Sequence, residues 1–273
     1  MTASIENVAL TAFYCCALRA KDAVSAVPVC GDGYAARFVD DRVRAQMAPL
    51  VRFAAPAASN VARHRLIDDV LREALHRDAS RRIFLLGAGF DTRAFRLPGG
   101  RWWEFDDAAL LGFKEEKLPA RSAPNAVVRH AIDFSRDPLA DHLGPLAGND
   151  KAYVVLEGVS MYLPLDVLAR VASAIHAFLP HAHLVADLMS PAFRRRYSEG
   201  LRRELSRLGA EFAHTDAHPR TAIEAVGYKA RDVRSIVGRA VEAGSLPLPP
   251  WILNTFLREL RDGYAVFTFE PQP

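Results

Sequence analysis

Ile83-Phe84-Leu85-Leu86-Gly87-Ala88-Gly89-Phe90-Asp91-Thr92 is a short, unbroken apolar run that closes in a glycine turn. A run without polar alternation is the pattern of a strand buried on both faces of a parallel sheet. Gly87 and Gly89 let the backbone at the carboxyl end of that strand come close to a ligand, and open α/β sheets bind nucleotides there. The same GxG also fits a plain tight strand-to-helix turn. A dinucleotide fingerprint, G-x-G-x-x-G, needs a third glycine where Thr92 stands. About 20 residues after the first glycine, Trp102-Trp103-Glu104-Phe105-Asp106 ends in Asp106, from which a carboxylate can accept two hydrogen bonds from ribose hydroxyls. Asp106 also suits the N-cap of a helix over Ala108 to Leu118. The combination favours an adenosine-bearing ligand without a pyrophosphate.

Working outward, apolar residues recur at helical spacing from Arg65 to Ala79, with Ser59 and Asn60 upstream as candidate caps. Strand-like runs follow at Ala126 to Val128, Ala152 to Leu156 and His183 to Leu188, and the tail Tyr264 to Phe269 reads as one more. Pro164 to Leu179 carries one apolar stripe behind a first-turn proline, the mark of an amphipathic helix. Strands alternating with helices imply right-handed crossovers and a doubly wound sheet. Asp133 and Glu157 then stand at the ends of the third and fourth strands, so that three acids converge on one crevice. The stretch from Pro191 to Gly263 breaks the rhythm with Arg194-Arg195-Arg196 and the proline-rich Ser245 to Trp251, and is expected to be a cap or insertion rather than another βα repeat. Its arginines, with Arg202, Arg203 and Arg207, alternate with Glu199 and Glu204, as on a solvated helix face.

With 273 residues, 50% hydrophobic and 25% charged, the chain has an ordinary globular composition. A net charge of +3 is too small to predict nucleic-acid binding. Cys15, Cys16 and Cys30 are odd in number and form no CxxC pair, which argues against a disulfide framework or a zinc site. His214 and His218, four apart, have no HExxH context, so no metal is expected. His181 and His183 flank a strand start, where an exposed or satisfied imidazole is the ordinary case. There is no charged n-region before an apolar stretch and no run of roughly 18 uncharged apolar residues, so a soluble cytoplasmic protein without membrane partners is expected.

LLGAGFDTRAFRLPGGRWWEFDDAALLGFKEEKL (85–118) followed by LEGVSMYLP (156–164) resembles the leucine carboxyl methyltransferase family, and especially its bacterial S-adenosylmethionine (SAM)-dependent branch. Thr11-Ala12 with Arg19-Ala20, Asp32-Gly33-Tyr34-Ala35, and Arg63-His64-Arg65-Leu66-Ile67-Asp68 resemble three further family elements, although Gly33 replaces the family's proline. The resemblance runs from about residue 8 to 190. It implies a single methyltransferase domain with a doubly wound, mostly parallel seven-stranded sheet and a helical cap. Its parts would be an N-terminal helical portion (1–80), a SAM-binding core (81–190), the cap (191–263) and a final strand (264–269).

By the same resemblance, Gly87 and Gly89 lie beside the methionyl part of SAM, Asp106 holds the ribose, and Asp133 and Phe134 flank the adenine. Arg63 and Arg19 pair with the SAM carboxylate, since a guanidinium fork matches a carboxylate. Glu157 faces the ammonium end, and Tyr162 either lines the acceptor site or packs at the head of the next helix. The implied reaction is O-methylation of a carboxylate or hydroxyl on a small molecule, with secondary metabolism as its setting. A nicotinamide-dependent oxidoreductase and a catalytically silent SAM-binding protein are the alternatives, and protein acceptors like those of eukaryotic relatives stay open. Phe193, Tyr197 and Trp251 of the cap are expected to contact the acceptor.

Overall fold

The computed structural model describes residues 3–134, 136–197, 199–200, 203, 206, 212–213 and 217–272. Arg202, Glu204, Arg207 and His214 lie outside these residues. The chain begins with α1 (Ala3–Ala23), α2 (Asp41–Val51) and α3 (Ala54–Arg77) and then enters β1 (Arg82–Leu86). A single turn, α4 (Arg93–Arg96), leads to β2 (Arg101–Asp106), α5 (Ala108–Lys117) and β3 (Ala126–Ala131). Next come α6 (Leu139–Leu143), β4 (Ala152–Leu156), α7 (Leu165–Phe178), β5 (His183–Met189) and α8 (Pro191–Tyr197). The last part holds α9 (Arg220–Glu224), β6 (Tyr228–Ser235), α10 (Ile236–Glu242), α11 (Pro250–Thr255), α12 (Arg258–Asp262) and β7 (Tyr264–Pro271).

The strands form one seven-stranded sheet in the order β3-β2-β1-β4-β5-β7-β6. β1 to β5 pair in parallel, and β7 runs antiparallel to both of its neighbours. Every residue of β1 and β4 is buried, as an apolar run covered on both faces must be. One apolar layer joins α1, α2, α3 and α10 to one face of the sheet, and a second packs α7 and α6 against the other. The strand order reverses between β1 and β4, so the ends of β1, β2 and β4 open onto one crevice.

Three expectations need correction. α3 starts at Ala54, well before Arg65, because Ala54-Ala55-Pro56-Ala57-Ala58 is a run of small helix formers with its proline in the first turn, where a missing N–H costs nothing. Ser59 and Asn60 therefore lie inside the helix and cap nothing. Asp107, not Asp106, caps α5: its carboxylate accepts from the N–H groups of Ala109 and Leu110. The segment expected to be only a cap contains β6, the edge strand. Its sequence, YKARDVRS, carries four charged residues and buries only Tyr228, which protects an edge from pairing but hides the strand from a search for apolar runs.

Candidate functional site

The turn after β1 sits where the sheet order reverses. Gly87 and Gly89 have φ of 71° and 46°, and a Cβ on Gly87 would lie 2.5 Å from Val159 Cγ2, so only glycine fits there. The Gly87 and Ala88 N–H groups donate to the Phe105 carbonyl, which ties the turn to the end of β2. Gly89 N–H donates to Asp106 Oδ2 at 2.6 Å and Asp107 N–H to Oδ1 at 2.8 Å. Each carboxylate oxygen thus keeps a free lone pair, and Asp106 lines the cavity above the turn. Burial raises the Asp106 pKa above its ordinary value, against the pull of these two N–H groups.

The cavity has a volume of about 790 Å³. Arg19, Arg63, Gly87, Gly89 and Asp106 all line it, as do Phe134, Glu157 and Tyr162. Asp133 does not: the chain turns back after β3, its carbonyl accepting from Arg136 and Asp137, and its side chain faces outward 3.4 Å from Arg136. Thr92, at the place a third glycine would take, is fully buried and donates its hydroxyl to Asp32 at 2.7 Å. Such a locked turn has no glycine helix start to offer a pyrophosphate.

Beneath the strand ends lies a lattice of buried ion pairs. Arg63 reaches Glu157 Oε1 (3.1 Å), Asp187 Oδ2 (3.4 Å) and the Tyr264 hydroxyl (3.0 Å), and its Nη2 faces Cys15 Sγ at 3.7 Å. Arg19 pairs with Asp32 at 3.0 Å and donates to the Phe90 carbonyl at 2.7 Å. Arg93, fully buried, binds Asp68 at 2.6 Å, Glu157 at 2.7 Å and Asp91. Arg96 adds a second contact to Asp68 at 2.7 Å. Burial alone would raise the pKa of Glu157, but the Arg93 and Arg63 charges hold it well below the ordinary carboxylate range.

His64 stands between Arg93 and Arg96, whose Nη2 atoms lie 2.9 and 2.8 Å from its two ring nitrogens. Burial and the Arg93 charge push its pKa down, so it stays neutral. His64, Asp91 and Glu157 could be read as a metal triad. Arg93 donates to both acids and abuts the imidazole, so a guanidinium fills the role a cation would take.

Sequence reasoning missed Arg93, Asp187 and Tyr264 as parts of this site. Asp187 had a visible signal, since an acid within His183-Leu184-Val185-Ala186-Asp187-Leu188-Met189 must find a buried partner. A second buried cluster supports Asp106 from behind: Lys114 Nζ and Arg129 Nε each lie 2.9 Å from Glu104 Oε2, two residues before Asp106.

A profile of the leucine carboxyl methyltransferase family matches residues 12–176, more than half of the chain. The chain belongs to the leucine carboxyl methyltransferase family. A Frankia alni protein provisionally named an S-adenosyl-L-methionine-dependent methyltransferase is 35% identical over 49% of this chain and 49% of its own length. A Streptomyces avermitilis protein of the same provisional name is 37% identical over 44% of each chain. The chain thus matches about half the length of these curated relatives. Among solved structures, a Thermobifida fusca protein provisionally called a methyltransferase superposes with a TM-score of 0.59 over 94% of both chains at 17% identity. A DUF574 family protein from Streptomyces avermitilis gives 0.59 over 85% of this chain and 91% of that one at 12% identity. At these identities the likeness is one of fold: the seven-stranded α/β sheet of class I methyltransferases.

In this family member the cavity roof comes from later elements. Phe193 and Tyr197 of α8 line the cavity, together with Phe212, which meets the Tyr162 ring edge-on at 5.3 Å. Burial raises the Tyr162 pKa and keeps its phenol protonated. Trp251, expected at the acceptor, is 64% exposed, stands against Phe256 and does not line the cavity. The SLPLPP turn places Leu246, Pro247 and Leu248 there instead. His218 meets the Phe267 ring edge-on at 5.7 Å, and its Nδ1 accepts the Arg220 N–H at the start of α9.

Proposed function

We propose that the protein is a SAM-dependent O-methyltransferase that acts on a carboxylate or hydroxyl of a small molecule. The observation that carries this reading is the Gly87–Gly89 turn bonded to Asp106 at the floor of a large cavity in a leucine carboxyl methyltransferase fold. A cradle that a Cβ would fill, beside a carboxylate with spare lone pairs, fits an adenosyl group. Asp106 would accept the ribose hydroxyls, Phe134 would offer its ring to the adenine, and Arg63 Nη2 with Arg19 would receive the carboxylate. Glu157, whose side chain is 12% exposed, would face the ammonium group. When bound, SAM supplies a methyl group on a sulfonium leaving group. The chain's own contribution is to place the acceptor and exclude water.

Tyr162 holds its proton and would orient the acceptor oxygen as a donor rather than remove a proton. His64, the one imidazole among the described lining residues, is engaged by two guanidiniums and is poorly placed to act as a base. This favours an acceptor that is already ionised, a carboxylate or an acidic hydroxyl. The three free thiols support a cytoplasmic setting, and no helix among the described residues is long and apolar enough to cross a membrane.

The test is to incubate the purified protein with methyl-labelled SAM and a metabolite extract. Label should move to a small molecule, and its release by mild base separates an ester from an ether. SAM bound without transfer to any acceptor would indicate a silent binding protein, and nicotinamide-dependent turnover would indicate an oxidoreductase.

A further inference from the structure

We infer that the acceptor is a mostly hydrocarbon molecule carrying a single acidic oxygen, such as an alkanoic acid or an alkylphenol. This deepens the reading above and rests on it. The cavity divides by chemistry. Among the described residues, all of its charged or imidazole side chains (Arg19, Arg63, His64, Asp91, Asp106 and Glu157) belong to the floor, where Asp106 is held by backbone N–H groups and the others by the ion-pair lattice. The apolar part of the lining includes Val167 and Val171 of α7, Met189 at the end of β5, and Leu248, Leu257 and Leu260 around α11 and α12. No lysine, arginine, aspartate or glutamate joins them among the described residues, so a second charge on the acceptor would find no partner among these side chains.

Where the acceptor's one polar group belongs is also marked. Tyr14 Oη and Asn60 Oδ1 are buried without a hydrogen-bond partner, and both residues line the cavity. Tyr14 is 4% exposed and Asn60 is 7% exposed. Native proteins rarely leave such atoms unpaired. Both residues lie near Arg63: Asn60 Nδ2 donates to Cys15 Sγ at 3.1 Å, the same sulfur that faces Arg63 Nη2. An ionised acceptor oxygen placed there would accept from the Tyr14 hydroxyl, while the hydrocarbon body fills the apolar part of the cavity.

The test is calorimetric titration of straight-chain alkanoic acids and 4-alkylphenols of four to ten alkyl carbons, with and without S-adenosylhomocysteine. Affinity should tighten about fourfold for each added methylene, the equivalent of about 0.8 kcal/mol per buried CH₂. Leu248→Asp and Leu260→Asp, both at partly exposed positions that a fold tolerates, should flatten that dependence and leave S-adenosylhomocysteine affinity within twofold. Tyr14→Phe should weaken every member of a series by the same factor and leave the slope intact. Affinity independent of chain length, or a slope unchanged in both aspartate variants, overturns the inference. A steep slope without S-adenosylhomocysteine binding supports the apolar chamber and overturns the cofactor reading instead.

Discussion

The floor of the cavity and its roof are built by opposite chemistries. The floor, beneath the ends of β1, β2, β4 and β5, is a lattice in which Arg19, Arg63, Arg93 and Arg96 interleave with Asp32, Asp68, Asp91, Glu157 and Asp187. The roof is aliphatic and aromatic side chain drawn from α7, α8, the turn at Leu246, Pro247 and Leu248, and α12. Buried ion pairs contribute little net stability against a well-packed apolar core, but they fix the direction of every donor and acceptor. A lattice of that kind suits a ligand that never changes. Apolar contacts are non-directional and adapt by small changes in volume, which suits a ligand that differs between relatives.

The largest expected effect breaks the floor. Arg93→Met leaves Asp68, Asp91 and Glu157 without their shared partner, and removing one member of a buried pair costs about 3–5 kcal/mol. Thermal unfolding should shift down by roughly 6–20 °C for a chain of this size. A shift under 2 °C would mean that the lattice is dispensable. Next, Arg63→Lys keeps the charge but gives up the fork that spans Glu157, Asp187 and Tyr264. S-adenosylhomocysteine affinity should fall about 10–150-fold, the equivalent of 1.5–3 kcal/mol. Unchanged affinity would move the carboxylate-binding role to Arg19.

These two arginines show how unevenly the sequence discloses the molecule. The parallel strands and the glycine turn were legible because β1 and β4 are buried on both faces and read as unbroken apolar runs. Asp106 and Glu157 were legible because several acids at strand ends pointed to one crevice, although Asp133, read in the same way, does not line it. Arg93 was not, since a buried guanidinium is indistinguishable in sequence from a solvated one until its partners, Asp68, Asp91 and Glu157, come together from three elements. The roof was the least legible. Trp251 was expected at the acceptor because it lies in the segment read as a cap, yet packing turned it to solvent and brought Leu246 and Leu248 inward. β6 escaped notice because edge strands are protected by the same charges that disguise them.

A smaller effect follows from pH. His64 has a folded-state pKa below its ordinary 6.5, so the unfolded chain binds more protons as pH falls through that value. Stability should therefore begin to drop below about pH 6.5, by about 1.4 kcal/mol for each unit by which the pKa is depressed. Glu157, Asp32 and Asp68 are likewise held low, by the charges around them, and deepen the loss below about pH 4.5, where the unfolded carboxylates protonate first. Asp187, which burial raises, opposes this in part. Urea melts from pH 7.5 to 4 check the profile, and His64→Gln should remove its upper limb. A stability that is flat or rising as pH falls from 7 to 5 would contradict a neutral, buried His64.

The smallest expected effect lies outside both regions. Trp251→Ala removes an exposed side chain that lines no part of the cavity, so stability and S-adenosylhomocysteine affinity should each stay within about 0.5 kcal/mol of wild type. A larger loss would mean that the roof closes further over the ligand than its lining residues indicate.

The claim on which the rest depends is that the floor of strand ends is a SAM site with Asp106 as its ribose anchor. Calorimetric titration of wild type and Asp106→Ala with S-adenosylhomocysteine and with NAD addresses it directly. Wild type should bind S-adenosylhomocysteine and ignore NAD, and the variant, losing hydrogen bonds to a charged acceptor worth about 1.5–3 kcal/mol, should bind about 10–150-fold more weakly. Binding of NAD in place of S-adenosylhomocysteine, or equal affinity in the two proteins, would contradict it.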